Sequence, residues 1–101
     1  MNTRIQLDLD GQHVAIFDKY SVRSAFQPII SVAHQRIVGY EGLARVQDKA
    51  GQAIAPFQLF DSAQDIESLV TIDRVCRELH LQNFARANLR PRWILINVHP
   101  L

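Results

Sequence analysis

The chain has 101 residues, of which 48% are hydrophobic and 21% charged, and this composition is typical of a globular domain and excludes a disordered chain. Its formal net charge of +1 gives no electrostatic reason to expect a nucleic acid or a membrane surface as partner. No apolar run approaches the roughly 18 residues at which a membrane-spanning helix becomes a candidate. The single cysteine, Cys76, cannot form an internal disulfide, which fits the cytoplasmic location that we expect.

The N-terminal quarter of the sequence carries only weak patterns. Residues 1–11 alternate between apolar and polar side chains, which predicts either a short edge strand or a poorly ordered tail. Residues 13–24 are ambiguous, with a thin pattern that would suit one face of a short helix. We interpret residues 1–25 as an N-terminal extension that is too short for a sensory domain, and Met1 suggests a natural start.

Two predicted strands follow. Residues 26–32 form an apolar run, and Pro28 within it indicates either an edge position or another place where its missing N–H is not needed, because proline cannot donate a ladder hydrogen bond. Residues 36–45 are predicted as a second strand, joined to the first by a tight connection at residues 33–35. The two strands should form a β-hairpin, and a polar loop that contains Gly51 comes next.

Two helices and a third strand complete the predicted order. Pro56 suits the first turn of a short helix, and Asp65 can cap a longer one. The longer helix has apolar residues at spacings of three or four, and it should fade before Pro91. Residues 93–98 form a nearly continuous apolar run, which is typical of a strand buried on both faces. The order predicts an α/β fold whose last strand is reached by a right-handed crossover and lies parallel to the second strand.

Strand alternation places polar side chains on shared faces. Glu41 and Arg45 point to one face of the second strand near its C-terminal end. Asn97 shares a face of the third strand with Trp93 and His99, again near the end where parallel sheets bind ligands. If the strands are parallel neighbours, Glu41 and Asn97 could converge on a hard cation. The alternative is a surface ion pair of Glu41 with Arg45 and a strand-end cap made by Asn97.

Several motifs, in order and with sensible gaps, resemble the opening of an EAL domain. The signature Glu-Ala-Leu of that family is Glu41-Gly42-Leu43 here. The resemblance covers roughly residues 24–100, and we interpret residues 26–101 as the N-terminal part of an EAL domain, an incomplete barrel. The other segments that carry it are Phe26-Gln-Pro-Ile-Ile-Ser31, Arg36-Ile-Val-Gly-Tyr40, Ile72-Asp-Arg74 and Ile96-Asn-Val98.

The resemblance implies an α/β fold in the form of a partial TIM-like barrel, made of a β-hairpin, a helical crossover and a parallel third strand. It implies that Glu41 and Asn97 ligate a divalent cation, Mg²⁺ or Mn²⁺, in the complete domain. It also implies that Gln27, Leu43 and Arg45 lie against cyclic di-GMP, with the arginine near phosphate. These roles suit the residue types, since arginine offers phosphate a planar fork of donors.

The function implied is that of a bacterial cyclic di-GMP phosphodiesterase, of which this chain is a fragment. The parent would hydrolyse the cyclic dinucleotide to linear pGpG in a metal-dependent reaction. We expect the chain alone to be inactive and to hold the cation weakly, because the family's later carboxylates, its lysine and its general-base glutamate lie beyond the third strand. Asp61, Asp65 and Asp73 should not replace them, since they fall on the helical crossover, away from the strand ends.

Two alternatives remain open at this point. One is a degenerate EAL-like module that binds the dinucleotide or regulates another protein. The other is association of several copies, because a partial barrel exposes strand edges that can pair with a second chain. A homo-oligomer formed in this way would be concentration-dependent.

Overall fold

A computed structural model of the chain describes residues 1–99. Within them, six strands form one sheet in the order β1-β2-β3-β4-β5, with β6 beside β4. The predicted first, second and third strands correspond to β3, β4 and β6. The elements in chain order are β1 (Thr3–Leu7), β2 (His13–Phe17), β3 (Tyr20–Ser31), β4 (Arg36–Gln47), β5 (Ala53–Ile54), α1 (Pro56–Asp61), α2 (Ile66–Ala87) and β6 (Ile94–Ile96).

The prediction of an α/β partial TIM-like barrel is wrong. The sheet is mostly antiparallel, since each neighbouring pair from β1 to β5 is antiparallel, and one long helix, α2, accompanies it. The parallel relation predicted for the third strand does occur, between β4 and β6, where Glu41 lies opposite Leu95. It is the one parallel pairing among residues 1–99, so it does not define the fold.

The N-terminal residues account for most of this difference. The thin helical pattern of residues 13–24 proves to be β2 and the first part of β3, joined by a two-residue turn. Asp18 in that turn adopts a left-handed conformation with φ 50°, as the tight turns of β-hairpins require. Within residues 1–11, Thr3–Leu7 form the edge strand β1, so the first of the two alternatives for that segment is correct. The division of the chain at residue 25 stays a prediction.

The β3–β4 hairpin confirms the next part of the prediction. Pro28 pairs with Tyr40 of β4, while β2 reaches only as far as Val22 on the other side of β3. The proline therefore lies where β3 has a neighbouring strand on one side only within the described part of the chain. That is the edge position at which a missing N–H group costs no ladder hydrogen bond.

Both helices begin where the sequence predicts. Pro56 is the first residue of α1, and the Asp65 carboxylate accepts a hydrogen bond of 2.7 Å from the backbone N–H of Ser68 at the start of α2. This backbone hydrogen bond lowers the pKa of Asp65. The long helix ends at Ala87, and Asn88 closes it in a left-handed conformation with φ 53°.

The core lies between α2 and one face of the sheet. Leu59, Ile72 and Leu79 are fully buried there against Phe17 and Val22 of the sheet. We call this side the core face. Among the residues that the structure describes, no helix covers the opposite side, where Leu95 is 45% exposed. The prediction that residues 93–98 are buried on both faces is therefore wrong for these residues. No helix in the described range is long and apolar enough to cross a membrane.

Candidate functional site

The predicted site residues of the hairpin share the uncovered side of the sheet. Gln27 lies directly opposite Glu41 in the antiparallel register of β3 and β4. Opposite residues of two strands point to the same side, and so do alternate residues along one strand. Leu43 and Arg45 therefore lie on the same side as Glu41. We call the side that carries these four residues the site face.

Asn97 joins this group from β6. Its Nδ2 atom donates a hydrogen bond of 2.9 Å to Oε2 of Glu41, although the two residues are 56 positions apart in the sequence. The parallel register explains the contact, because Leu95 lies opposite Glu41 and Asn97 follows two residues later. The predicted convergence of Glu41 and Asn97 thus occurs. In residues 1–99 no ion pair joins Glu41 to Arg45, so the surface ion pair does not form.

Trp93 closes the opposite end of the site face. It is 54% exposed, and its indole lies so close to Gly39 that a Cβ atom there would collide with the ring. Gly39 is thus a position of close approach, where any larger residue would require the indole to move. The indole packs on β4 at Gly39, and it marks where the site face ends.

A groove opens beside the site face at the C-terminal ends of β4 and β6. It has a volume of about 380 Å³ and reaches from Leu43, Arg45 and Asn97 to Phe60 of α1 and Asp73 of α2. Its walls are mainly apolar, with the charged side chains placed around them. A bound molecule that touches Arg45 and Asn97 would therefore also have access to a cavity between the sheet and the helices.

Asp73 lies at this strand end, which corrects one prediction. Its Oδ1 atom accepts a hydrogen bond of 2.9 Å from the backbone N–H of His99, and its Oδ2 atom is 3.2 Å from Nε of Arg77. Asp73 therefore makes structural polar contacts, and its predicted place away from the strand ends is wrong. The helix α2 crosses back over the sheet, so the start of its third turn comes close to the segment that follows β6.

His99 does not keep the face that strand alternation assigns to it. The strand β6 ends at Ile96, and alternation no longer applies three residues later. The ring of His99 instead stacks on Phe60, with 4.6 Å between the ring centroids and 17° between the planes. The contacts of His99 therefore lie with the helices and not with the site face.

A buried polar cluster on the core face escaped the sequence analysis. Nδ1 of His80 lies 2.7 Å from Oγ of Ser24, and Asn83 donates to Ser24 and exchanges two hydrogen bonds with the backbone of His13. Burial lowers the pKa of His80. The available signal was the spacing of His80 and Asn83 on the apolar side of α2, next to Leu79. A polar pair at such a position needs partners in the core.

The donor atoms present suit a hard cation in part. Glu41 offers a carboxylate and Asn97 an amide oxygen, which are ligands that Mg²⁺ and Mn²⁺ accept. Residues 1–99 contain no group of three or more His, Cys, Asp or Glu side chains placed to hold a metal ion. Cys76 is buried in the core, and burial raises the pKa of its thiol to about 12, which keeps it protonated and disfavours reaction.

Comparison with known families identifies the class of protein to which this fold and site belong. The family model for the EAL domain matches residues 13–101. The chain therefore belongs to the EAL-domain family, the family of metal-dependent cyclic di-GMP phosphodiesterases, and the resemblance found in the sequence is confirmed. Comparisons with curated proteins and with solved structures give no significant match.

Proposed function

We propose that this chain supplies the first part of the site of a bacterial cyclic di-GMP phosphodiesterase, which converts the cyclic dinucleotide to linear pGpG. The observation that supports the proposal is the 2.9 Å contact between Asn97 and Glu41 on the site face. Two side chains that are distant in the sequence, one a carboxylate and one an amide, thus meet on the face that also carries the exposed Arg45. In the hydrolysis, water adds to phosphorus, the bond from phosphorus to the 3′ oxygen breaks, and that oxygen takes up a proton.

Glu41 and Asn97 would hold a divalent cation, Mg²⁺ or Mn²⁺. Such a cation, when bound, lowers the pKa of a coordinated water and offsets charge on the phosphodiester. Asn97 now donates through its NH₂ group to Glu41. As a ligand it would present its carbonyl oxygen instead, because hard cations take oxygen atoms. The side chain is exposed, just beyond the end of β6.

Three further residues of the site face would bind the dinucleotide. Arg45 is exposed and can offer a phosphate two parallel N–H donors. Leu43 lies between Glu41 and Arg45 on the same side and gives an apolar contact for sugar or base. Gln27, opposite Glu41, adds donor and acceptor groups on the adjacent strand. The three side chains thus flank the proposed cation position along β4 and across to β3.

A manganese titration tests the cation site directly. Paramagnetic Mn²⁺ broadens NMR signals near its binding position, so low Mn²⁺ should first broaden the side-chain amide signals of Asn97. Glu41→Gln removes the carboxylate charge at nearly constant shape and should abolish this selective broadening. Glu78→Gln, the same change on the exposed side of α2, should leave it intact. If Mn²⁺ still broadened the Asn97 side-chain signals selectively in Glu41→Gln, the proposed site would be contradicted.

We also propose that these 101 residues alone neither turn over cyclic di-GMP nor retain the cation tightly. One carboxylate and one neutral amide give little charge to hold a divalent ion, and most hard-cation sites use more oxygen ligands. Chromatography of the nucleotides after incubation with the purified chain and Mn²⁺ should show no pGpG. Turnover that Glu41→Gln removes would overturn this part of the proposal and support the assignment of Glu41.

A binding or regulatory role without catalysis is the second candidate. It is favoured by the position of Gln27, Leu43 and Arg45, which form a contact surface that needs no chemistry at the cation. Calorimetric titration of the chain with cyclic di-GMP distinguishes the two. Binding that survives Glu41→Gln but is lost in Arg45→Ala would support a binding module. Binding that needs both residues would support the phosphodiesterase site.

A further inference from the structure

A buried carboxylate on α2 lies where the chain leaves β6. Asp73 is only 7% exposed, and an acidic residue is seldom so buried unless it has partners. Its two oxygen atoms have different partners: Oδ1 accepts from the backbone N–H of His99, and Oδ2 faces Arg77 one helical turn later. The ion pair with Arg77 offsets the charge, which leaves the first oxygen directed at the strand end.

That hydrogen bond holds the backbone next to a proposed cation ligand. The paired part of β6 ends at Ile96, opposite Gly42, so the sheet no longer fixes the backbone at Asn97. Two residues after Asn97, the backbone N–H of His99 donates a hydrogen bond of 2.9 Å to the Asp73 carboxylate, and the ring of His99 stacks on Phe60. The short segment that carries Asn97 is thus held by β4 on one side and by the helices on the other.

We propose that Asp73 is a positioning residue that keeps the Asn97 side chain beside Glu41. The proposal extends the proposed function, because the position matters for catalysis only if Glu41 and Asn97 are the cation ligands. Residues that orient metal ligands without touching the metal commonly change metal affinity by about 10–100-fold when they are replaced. Asp73 acts through one backbone hydrogen bond, so its contribution is geometric and needs no contact with the dinucleotide.

The first readout is independent of any metal. In the metal-free chain, the Asn97 amide protons should give nuclear Overhauser contacts to the Glu41 side chain. Asp73→Ala removes the acceptor, and these contacts should disappear. Asp73→Asn keeps an oxygen that can accept from His99, and the contacts should return. Asp61→Ala, on the exposed side of α1, is the matched control and should change nothing. Contacts that persist in folded Asp73→Ala would overturn the proposal.

A second pair of variants serves if Asp73→Ala fails to fold. His99→Pro removes the donor N–H and leaves Asp73 and Arg77 in place, so the same loss of contacts is expected. His99→Ala removes the ring and keeps the N–H, and most of the contacts should survive. If His99→Pro retains the contacts between Asn97 and Glu41, the hydrogen bond to Asp73 does not position Asn97, and the proposal is wrong.

The second readout separates this proposal from the proposed function. Mn²⁺ affinity, measured by electron paramagnetic resonance, should fall about tenfold in Asp73→Ala and recover in Asp73→Asn. If the wild-type chain shows no Mn²⁺ site at Glu41 while Asp73→Ala still loses the contacts, the proposed function fails and the positioning role stands. If wild-type Mn²⁺ binding depends on Glu41, but neither the contacts between Asn97 and Glu41 nor the Mn²⁺ affinity changes in Asp73→Ala, the positioning role alone fails.

Discussion

Gly42 of β4 and His80 of α2 lie against each other on the core face of the sheet. A Cβ atom at Gly42 would be 3.3 Å from Cγ of His80, and 3.4 Å from Cδ1 of Ile94. His80 is 5% exposed and is held from the other side by its 2.7 Å contact with Ser24. The family signature has alanine at position 42, so this chain has lost a methyl group at the point where an imidazole is packed.

Replacing Gly42 by the alanine of the family signature should therefore destabilise the protein. In Gly42→Ala the added methyl group crowds His80, which cannot move without disturbing its contact with Ser24, and we expect a loss of about 1 kcal/mol in the free energy of unfolding. His80→Ala removes the opposing ring. The double variant should then be more stable than the sum of the two single changes predicts, by at least about 0.5 kcal/mol. Urea unfolding of all four proteins measures this coupling, and strict additivity would refute it.

His80 should also make stability depend on pH. Burial lowers the pKa of His80 in the folded state, whereas the unfolded chain titrates near the ordinary value of 6.5. Between those two values the unfolded state binds more protons, so the stabilising contribution is complete above about pH 6.5 and is lost as the pH falls below it. The free energy of unfolding, measured with urea at pH 7.5 and pH 5.5, should fall less between these pH values in His80→Asn than in the wild type. Equal losses in both proteins would exclude His80 as the cause.

The parts of the fold that were predictable are those in which a local rule acts alone. Proline at the first turn and aspartate at the cap define where α1 and α2 begin, and no distant residue changes that. The contact between Glu41 and Asn97 followed from alternation in two strands and their parallel order. Each step used geometry that the sequence pattern already contained, whereas the place of Gln27 came only from the family resemblance.

The predictions that failed concern features that depend on packing between residues distant in the sequence. Val14, Phe17 and Val22 have spacings that suit a short helix, but they are buried in the core as parts of the five-residue strand β2 and the start of β3. A five-residue strand is too short for its period to be distinguished reliably from a helical one. The location of Asp73 depended on the angle at which α2 crosses the sheet, which no sequence pattern gives. The apolar run around Leu95 predicted a buried strand. Leu95 is exposed because no helix in the described residues covers the site face.

The cap of α2 offers a test of a prediction that the structure bears out. Asp65→Ala removes the acceptor of the Ser68 N–H and should lower the free energy of unfolding, because the first turn of α2 then lacks a partner for that group. Asp65→Ser keeps a capping oxygen and should retain most of the stability. Asp61→Ala, an exposed aspartate without a capping role in α2, is the control for loss of negative charge. If Asp61→Ala and Asp65→Ala cost the same in thermal unfolding, charge rather than capping explains the effect.

Association through the edge at β6 remains a prediction, and its test is a matched pair of exposed leucines. β6 pairs with β4 on one side, and in the described part of the chain no strand covers its other edge. Leu95, on that strand, is 45% exposed, and Leu81, on the outer side of α2, is 53% exposed. If copies pair through this edge, sedimentation equilibrium should give a mass that rises with concentration. Leu95→Lys should suppress that rise, because a charged side chain opposes edge pairing, whereas Leu81→Lys should not. A wild-type mass that stays at 11.5 kDa over the whole concentration range, or equal effects of the two substitutions, would rule out association through β6.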